Sequence, residues 1–392
     1  MELTGIKNPH TRVHSIDLLR GLVMIIMAID HVRDYFHADA YLYDPTDLTR
    51  TTIPIFFTRF ITHYCAPVFM LLSGTAAYLV GTRKGKKALT IFLITRGLWL
   101  ILLELTVVNF GWFFDIHYNN TGFLVIWALG MSMIFLALMI HLPKVAILII
   151  SLGLICCHNL FDNYHPGNIV WSFLHEPSFY QWKGINVFAF YPLIPWIGVM
   201  SLGYCIGTWY EAGFDVSKRK KLLFISGLAC TLLFIALRYT NWYGDRILWS
   251  NQTHTGLTLM SYLSLSKYPP SLLYLLATLG PAMMFLSFTE KANGVIARMV
   301  QVIGRVPMFY YLVHIYLIHL GAMIAAALTP GFSLSDMILS TWVSFSPQLK
   351  GFGFDLVTTY VIWAVLVVIL YFLCLWYDRY KRLHKHWWLS YL

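Results

Sequence analysis

Apolar runs of about 20 residues recur along the whole chain, and that is the length an α-helix needs to cross the hydrocarbon of a bilayer. No other feature restricts the fold as much. In lipid an open backbone finds no partner for its N–H and C=O groups, so each run must close its hydrogen bonds within itself, as a helix. Composition agrees: of 392 residues 58% are hydrophobic and 12% charged, whereas a soluble domain carries about 25% charged residues. That is too little polar surface for two or three soluble domains and too much apolar content for a disordered chain. Six Cys, with no CxxC pair, are too sparse for a disulfide scaffold and support no metal site. The reading is an all-α polytopic membrane protein, a single transmembrane domain over 1–392.

Ten spans are read, at about 17–38, 54–80, 88–110, 123–141, 145–160, 187–210, 221–240, 271–289, 303–328 and 356–378. The basic residues orient them. With the N-terminus inside, the inside segments hold Lys7, Arg12 and Arg20; Arg83, Lys84, Lys86, Lys87 and Arg96; Lys144; Lys218, Arg219, Lys220 and Lys221; Lys291, Arg298 and Arg305; and Arg379, Lys381, Arg382 and Lys385. That is 20 of the 28 Lys and Arg residues, against 8 on the other side, and basic residues collect in cytoplasmic loops. Both termini are therefore expected in the cytoplasm, as a short N-terminal segment, 1–16, and a short basic C-terminal one, 379–392. The same distribution explains the net charge of +10. Short basic clusters between apolar runs mark a lipid bilayer as partner and no nucleic acid. The outside loops, about 39–53, 111–122, 161–186, 241–270 and 329–355, are long and rich in Trp, Tyr, Asn and His. No internal repeat is found, which disfavours transporters built on inverted repeats.

Charge inside a span costs several kcal/mol, on the order of 3 or more, so each such residue is a functional candidate. The first span is the richest, with Asp17 and Arg20 at one end and Asp30, His31, Arg33, Asp34 and His37 at the other. Asp17 and His31 are 14 residues apart, which returns to nearly the same helix face about 21 Å away. Asp17 and Arg20 are spaced to pair. The second span carries Arg59 and His63, and the third Glu104 and Asn109. Glu104 is too deep to stand unpaired, with Arg59 or His63 as expected partners. The ninth span carries His314. The charges thus form two layers: an outer one of histidines and carboxylates suited to general base catalysis, and an inner one of Arg and Lys suited to phosphate. A neutral His31 needs a carboxylate partner, and Asp30, Asp34 and Glu104 are the candidates. No ligand spacing among the histidines supports a metal.

The opening Ser-Ile-Asp17-Leu-Leu-Arg20-Gly21, with His31 after Asp30, resembles the first span of the transmembrane acyltransferases. These are the bacterial heparan-alpha-glucosaminide N-acetyltransferase-like catalytic domain family, related to the acyltransferase-three O-acetylases. Ala66-Pro67-Val68-Phe69 with Ser73-Gly74, Ile126-Trp127-Ala128-Leu129-Gly130, Tyr191-Pro192 through Trp196-Ile197-Gly198, and Gly304-Arg305-Val306-Pro307 through His314 extend the resemblance from about residue 12 to 380. It implies an integral membrane acetyltransferase that takes acetyl from cytoplasmic acetyl-CoA and delivers it to a carbohydrate at the outer, periplasmic face of a bacterial inner membrane. The oligomeric state, homodimer included, stays open. Asp17, Arg20, Arg96, Trp127 and Arg305 would hold the CoA. Arg33, Arg59, Asn109, Trp196 and His314 would line the acceptor. A histidine would be the base or the acyl carrier, His31 by the O-acetylase match. By the heparan-enzyme match it would be His37, in Tyr35-Phe36-His37-Ala38, although the Trp-x-Gly that follows there is missing. His63 stands where that enzyme has a membrane Asp. Asp30 and Glu104 complete the catalytic candidates.

Two other classes compete. A proton-coupled small-molecule transporter would use the same His/Asp/Glu relay. A lipid-interacting protein would do no chemistry. Release of free CoA separates the transferase from both.

Overall fold

The chain folds mainly into helices, as the apolar runs require. The structure, a computed structural model, describes residues 13–390. Lys7 and Arg12, counted above among the inside charges, lie outside the described residues. The first expected span forms α1 (His14–Phe36). The second forms α2 (Ile53–Ile61) and α3 (Cys65–Lys84), joined by a 3-10 turn at Thr62–Tyr64. That turn has a local cause. Pro67 has no N–H to offer the His63 carbonyl four residues back, and the Tyr274 hydroxyl donates to that oxygen instead, at 2.7 Å. The third span runs as α4 (Lys86–Leu103), a π-helical turn at Glu104–Val108, and α5 (Asn109–Phe113). After β1 (Asn120–Phe123) come α6 (Val125–Met139) and α7 (Lys144–Cys157).

Three expectations need correction here. The chain is not purely α: after α8 (Ile169–Leu174), β2 (Ser178–Trp182) and β3 (Ile185–Ala189) form a hairpin, and β1 pairs parallel with β3 to give the order β1-β3-β2. The span expected from 187 begins only as α9 (Leu193–Ile206), because 187–189 belong to β3. Beyond α10 (Val216–Thr240), α11 (Thr255–Leu263) and α12 (Leu272–Phe288), the span expected at 303–328 divides into α13 (Val295–Arg305) and α14 (Pro307–Leu328). Pro307 opens α14 at its first position, where a missing N–H costs nothing. The last helix is α15 (Leu356–Leu383), capped by Asp355, whose side chain accepts from the Thr358 amide at 2.7 Å.

Six helical stretches among the described residues are long and apolar enough to cross a membrane: Ile53–Lys84, Lys86–Phe113, Lys144–Phe161, Val216–Thr240, Pro307–Leu328 and Leu356–Leu383. Val125–Met139 and Leu272–Phe288 are apolar but shorter. The outward faces of α7, α10 and α15 expose Ile149, Leu232 and Val365, as lipid-facing helices do. α1 differs in carrying five charged residues, and it sits among α3, α12, α13, α14 and α15 rather than at the edge.

Close helix crossings fix α1 in place. A Cβ on Gly304 would lie 1.8 Å from the Asp17 carbonyl oxygen, and one on Gly21 would lie 2.0 Å from that of Val300. Backbone therefore touches backbone where α1 meets α13, the packing that small residues permit between membrane helices.

Candidate functional site

The C-terminal end of α1 opens on a cavity of about 370 Å³. One helical turn places Asp30, Arg33 and Asp34 on neighbouring positions. Asp30 is the hub. Its Oδ1 lies 2.9 Å from Arg33 Nη2, its Oδ2 pairs with Arg59 of α2, and Lys267 Nζ stands 3.8 Å from Oδ2. The Arg33 guanidinium directs its hydrogen bond to Asp34, at 2.6 Å. The side chains of Asp30, Arg33, Arg59 and Lys267 are 9%, 4%, 16% and 11% exposed, so these charges hold one another rather than water.

His31 faces the same cavity from the next position. Its Nδ1 is 2.7 Å from Nε2 of His314 on α14, and the two rings stack at 5.0 Å. Trp112 packs its ring against His31 at 4.9 Å, edge to face. Trp112 is positioned in turn by the Tyr35 hydroxyl, which donates to its carbonyl at 2.6 Å. Tyr191, Tyr268, Tyr311 and Trp342 complete an aromatic wall.

Of the residues expected at an acceptor site, the structure brings Asp30, His31, Arg33 and Arg59 to the cavity, with His314 directly behind His31. Others lie elsewhere. His63 is buried against Phe60 and Tyr274 and does not line the cavity. His37 ends α1, where its Nδ1 accepts from the Asp39 amide at 3.2 Å. Glu104 pairs with neither Arg59 nor His63. Its Oε2 accepts from the Trp127 amide at 2.9 Å, which makes it a cap for the exposed N–H groups that open α6. Asn109 clamps the π-turn to β1, donating to the carbonyls of Glu104 and Gly122 and accepting from the Gly122 amide. Trp196 is fully buried behind Tyr191. The carboxylate expected beside His31 is replaced by His314, because Asp30 and Asp34 are already engaged by Arg33, Arg59 and Lys267.

At the N-terminal end of α1 Arg20 pairs with Asp17 at 3.5 Å, as its spacing predicts, and donates to the Gly304 carbonyl at 3.2 Å. Arg305 and Arg382 both pair with Asp378 of α15. Arg96 lies close enough to Tyr377 for its charge to act on that phenol. Trp127 stands apart from this group, packed on Phe123 of β1 and Phe173 of α8.

The sequence reading missed Lys267, Trp112, Tyr311 and Trp342. Lys267 shares the aromatic loop 241–270 with Arg246 and stands in no motif, so no local signal marks it. A second polar cluster also went unread: His175 Nε2 donates to Asp162 Oδ1 at 3.1 Å, and Arg246 pairs with the same oxygen at 3.2 Å. Burial pushes the Asp162 carboxyl up, but hydrogen bonds from His175 and Asn159 together with the Arg246 charge outweigh it and hold the group below the usual carboxylate range. Among the described residues no group of three or more His, Cys, Asp or Glu is placed to hold a metal ion.

The family described as heparan-alpha-glucosaminide N-acetyltransferase, catalytic, matches residues 12–241, more than half of the chain. No curated protein matches it. The match takes in Asp30, His31, Arg33 and Arg59, while Lys267 and His314 lie C-terminal to it.

Proposed function

From the premise that the chain belongs to the heparan-alpha-glucosaminide N-acetyltransferase catalytic family, we propose that it moves acetyl from acetyl-CoA to an amine or hydroxyl of a carbohydrate, with His31 as the general base. Membership implies a membrane acetyltransferase and does not favour the transporter reading. The observation that carries the residue assignment is the position of His31. Of the expected histidines, it alone lines the cavity, beside a fixed cluster of Asp30, Arg33, Arg59 and Lys267.

The reaction balances around that ring. The acceptor N–H or O–H gives its proton to His31 as its nitrogen or oxygen attacks the thioester carbonyl carbon. The new C–N or C–O bond forms, the C–S bond breaks, and the CoA thiolate leaves with the proton returned by the imidazolium. A positioned base is worth about 10²–10⁴-fold in rate. Asp30 holds Arg33, Arg59 and Lys267 at the rim, where they orient the acceptor and the developing oxyanion. The aromatic wall of Trp112, Tyr191, Tyr268 and Trp342 offers flat faces to a sugar ring.

For the donor we assign Asp17, Arg20, Arg96 and Arg305 at the inner end of the bundle. Arg20 and Arg305 are already paired, so holding CoA phosphates means exchanging Asp17 and Asp378 for phosphate oxygens. Trp127, on its position beside Phe173, goes with the acceptor side. With this reading go ten spans with both termini cytoplasmic, a single domain over 1–392, and a bacterial inner membrane with the acceptor at the periplasmic face, all as part of the proposal.

The test is release of free CoA by purified protein given acetyl-CoA and D-glucosamine. His31→Ala should lower turnover at least about 10²-fold while acetyl-CoA affinity stays nearly unchanged. His37→Ala and His63→Ala should keep most activity. Full turnover in His31→Ala with a dead His37→Ala would move the base into the loop after α1.

A further inference from the structure

Two imidazoles 2.7 Å apart, the buried His314 and the part-buried His31 at the cavity wall, share one proton, and the surroundings decide which ring owns it. His314 Nδ1 faces only carbonyl oxygens of its own helix, Tyr311 at 2.5 Å and Tyr310 at 3.2 Å. Carbonyls accept and never donate, so His314 Nδ1 carries a proton. A neutral imidazole has one N–H, which leaves His314 Nε2 bare and able only to accept. A second proton on His314 would place a cation in a fully buried site with no carboxylate among its hydrogen-bond partners, a costly arrangement. The shared proton therefore belongs to His31 Nδ1.

We infer that His314 is a positioning residue that fixes the tautomer of His31, so that the ring nitrogen left to the cavity, Nε2, holds a free lone pair. This rests on the base role proposed for His31 and adds what makes it competent. A histidine with Nε2 protonated would present a donor to the acceptor and could not take its proton. The relay serves the charged state as well: once His31 holds the acceptor proton, its Nδ1–H still donates to His314 Nε2 and spreads the positive charge toward the carbonyls of α14. The His–His pair thus fills the place that a carboxylate takes in a Ser-His-Asp triad, where the partner sets tautomer and orientation. His314 does not line the cavity, so the substrate-binding role read from the sequence passes to the aromatic wall in front of it.

The test uses the full chain labelled with ¹⁵N-histidine in lipid nanodiscs. Nitrogen spectra, with the His31 signals identified by their loss in His31→Ala, should show Nδ1 protonated and Nε2 bare in the native protein. His314→Leu removes the acceptor at similar volume and should give a mixture of His31 tautomers. It should also lower kcat for acetyl transfer to D-glucosamine roughly 10–10³-fold with KM little changed. His314→Gln, whose side-chain oxygen accepts the same bond, should restore kcat to within about tenfold of native. A native His31 protonated on Nε2, or an unchanged kcat in His314→Leu, overturns the relay. Full turnover in His31→Ala overturns instead the base role it rests on, and the nitrogen spectra separate the two failures.

Discussion

Asp30→Asn keeps the shape of the hub and removes only its charge. The side chains it leaves behind are 4%, 16% and 11% exposed at Arg33, Arg59 and Lys267, so water from the cavity they line replaces the lost carboxylate only in part. Asp34 still pairs with Arg33, but Arg59 and Lys267 lose their nearest anion. Removing one partner from a buried ion pair costs about 3–5 kcal/mol. For a chain of 392 residues, an unfolding entropy of about 2.1 cal/mol/K per residue converts that to a loss of roughly 4–6 °C in Tm. Helices that persist in detergent lower the entropy and enlarge the shift. The assay is thermal unfolding in detergent, read with a thiol-reactive fluorophore as buried Cys65 and Cys374 become accessible. Adding Arg59→Met to Asp30→Asn removes one orphaned cation. The double variant should therefore melt above Asp30→Asn alone, with a coupling of about 0.5–3 kcal/mol. An Asp30→Asn protein melting within about 1 °C of native, or strict additivity of the two changes, would refute the hub.

Gly304→Ala should destabilise by about 1–3 kcal/mol, because its Cβ would sit 1.8 Å from the Asp17 carbonyl oxygen and α1 must move off α13; Gly153→Ala, with nothing within 4 Å, is the neutral control in the same melting assay. Glu104→Gln should keep both stability and acetyl transfer, since an amide oxygen can still accept from the Trp127 amide, whereas Glu104→Ala should lose about 0.5–2 kcal/mol as a missing helix cap; a dead Glu104→Gln would return Glu104 to the chemistry. Asp162 has its folded pKa below the unfolded one, so its contribution is present above the ordinary value of 3.8 and is lost as pH falls through the lowered folded value. The Tm gap between native and Asp162→Asn should therefore be widest near neutral pH and shrink at acid pH; a gap independent of pH would argue against it. A cysteine at exposed Lys86, with Cys156 and Cys157 replaced by Ser, should resist an impermeant maleimide in intact cells, and ready labelling would invert the orientation.

The helical class and the first-span polar residues were legible because both depend on local spacing. Asp17 with Arg20, and Asp30 with Arg33, are one turn apart, and the structure pairs both. Glu104 is legible as too deep to stand unpaired, but the sequence offers Arg59 or His63 as its partner, and the structure gives it neither. A carboxylate inside a helix pattern reads as an ion-pair partner, and nothing local reveals that it caps α6, which begins only at Val125 after the π-turn, α5 and β1. The His31–His314 contact spans 283 residues, and Lys267 reaches Asp30 from a loop with no repeat or motif of its own. The hairpin was readable and went unread. Ser178–Trp182 and Ile185–Ala189 are separated by two residues, Lys183 and Gly184, both at positive φ, the two-residue turn that hairpins favour. The apolar run at 187–210 masked it, since a short apolar strand and the start of a helix look alike in hydropathy.

The places where the helices lose regularity are also the places where the charges of α1 find partners. α13 stops at Arg305 ahead of Pro307, and a helix end leaves its last carbonyls without intrahelical donors. Arg20 donates to one of them, on Gly304. The turn forced before Pro67 ends α2 just beyond Arg59, which puts that guanidinium on Asp30 instead of continuing it along one straight span. The π-turn at Glu104–Val108 shifts α5 so that Trp112 lies on the His31 ring. Between the two charged ends of α1, residues 21–29 carry no ionisable side chain, a stretch of about 14 Å at the helical rise. Each end must therefore be satisfied by its own set of neighbours, and each is satisfied at a helix break. A straightened bundle with the same composition would bury the same apolar surface, yet it would leave Arg20, Asp30 and Arg59 without partners. On that ground Pro67→Ala should be felt at the acceptor cavity as well as in bundle stability. Restoring the missing N–H lets the His63 carbonyl be claimed within the helix, frees the Tyr274 hydroxyl and draws Arg59 away from Asp30. A raised KM for D-glucosamine with a Tm lowered by up to the roughly 4–6 °C worked out for the loss of the Asp30 charge is the expected result, and a native KM would detach the turn from the site.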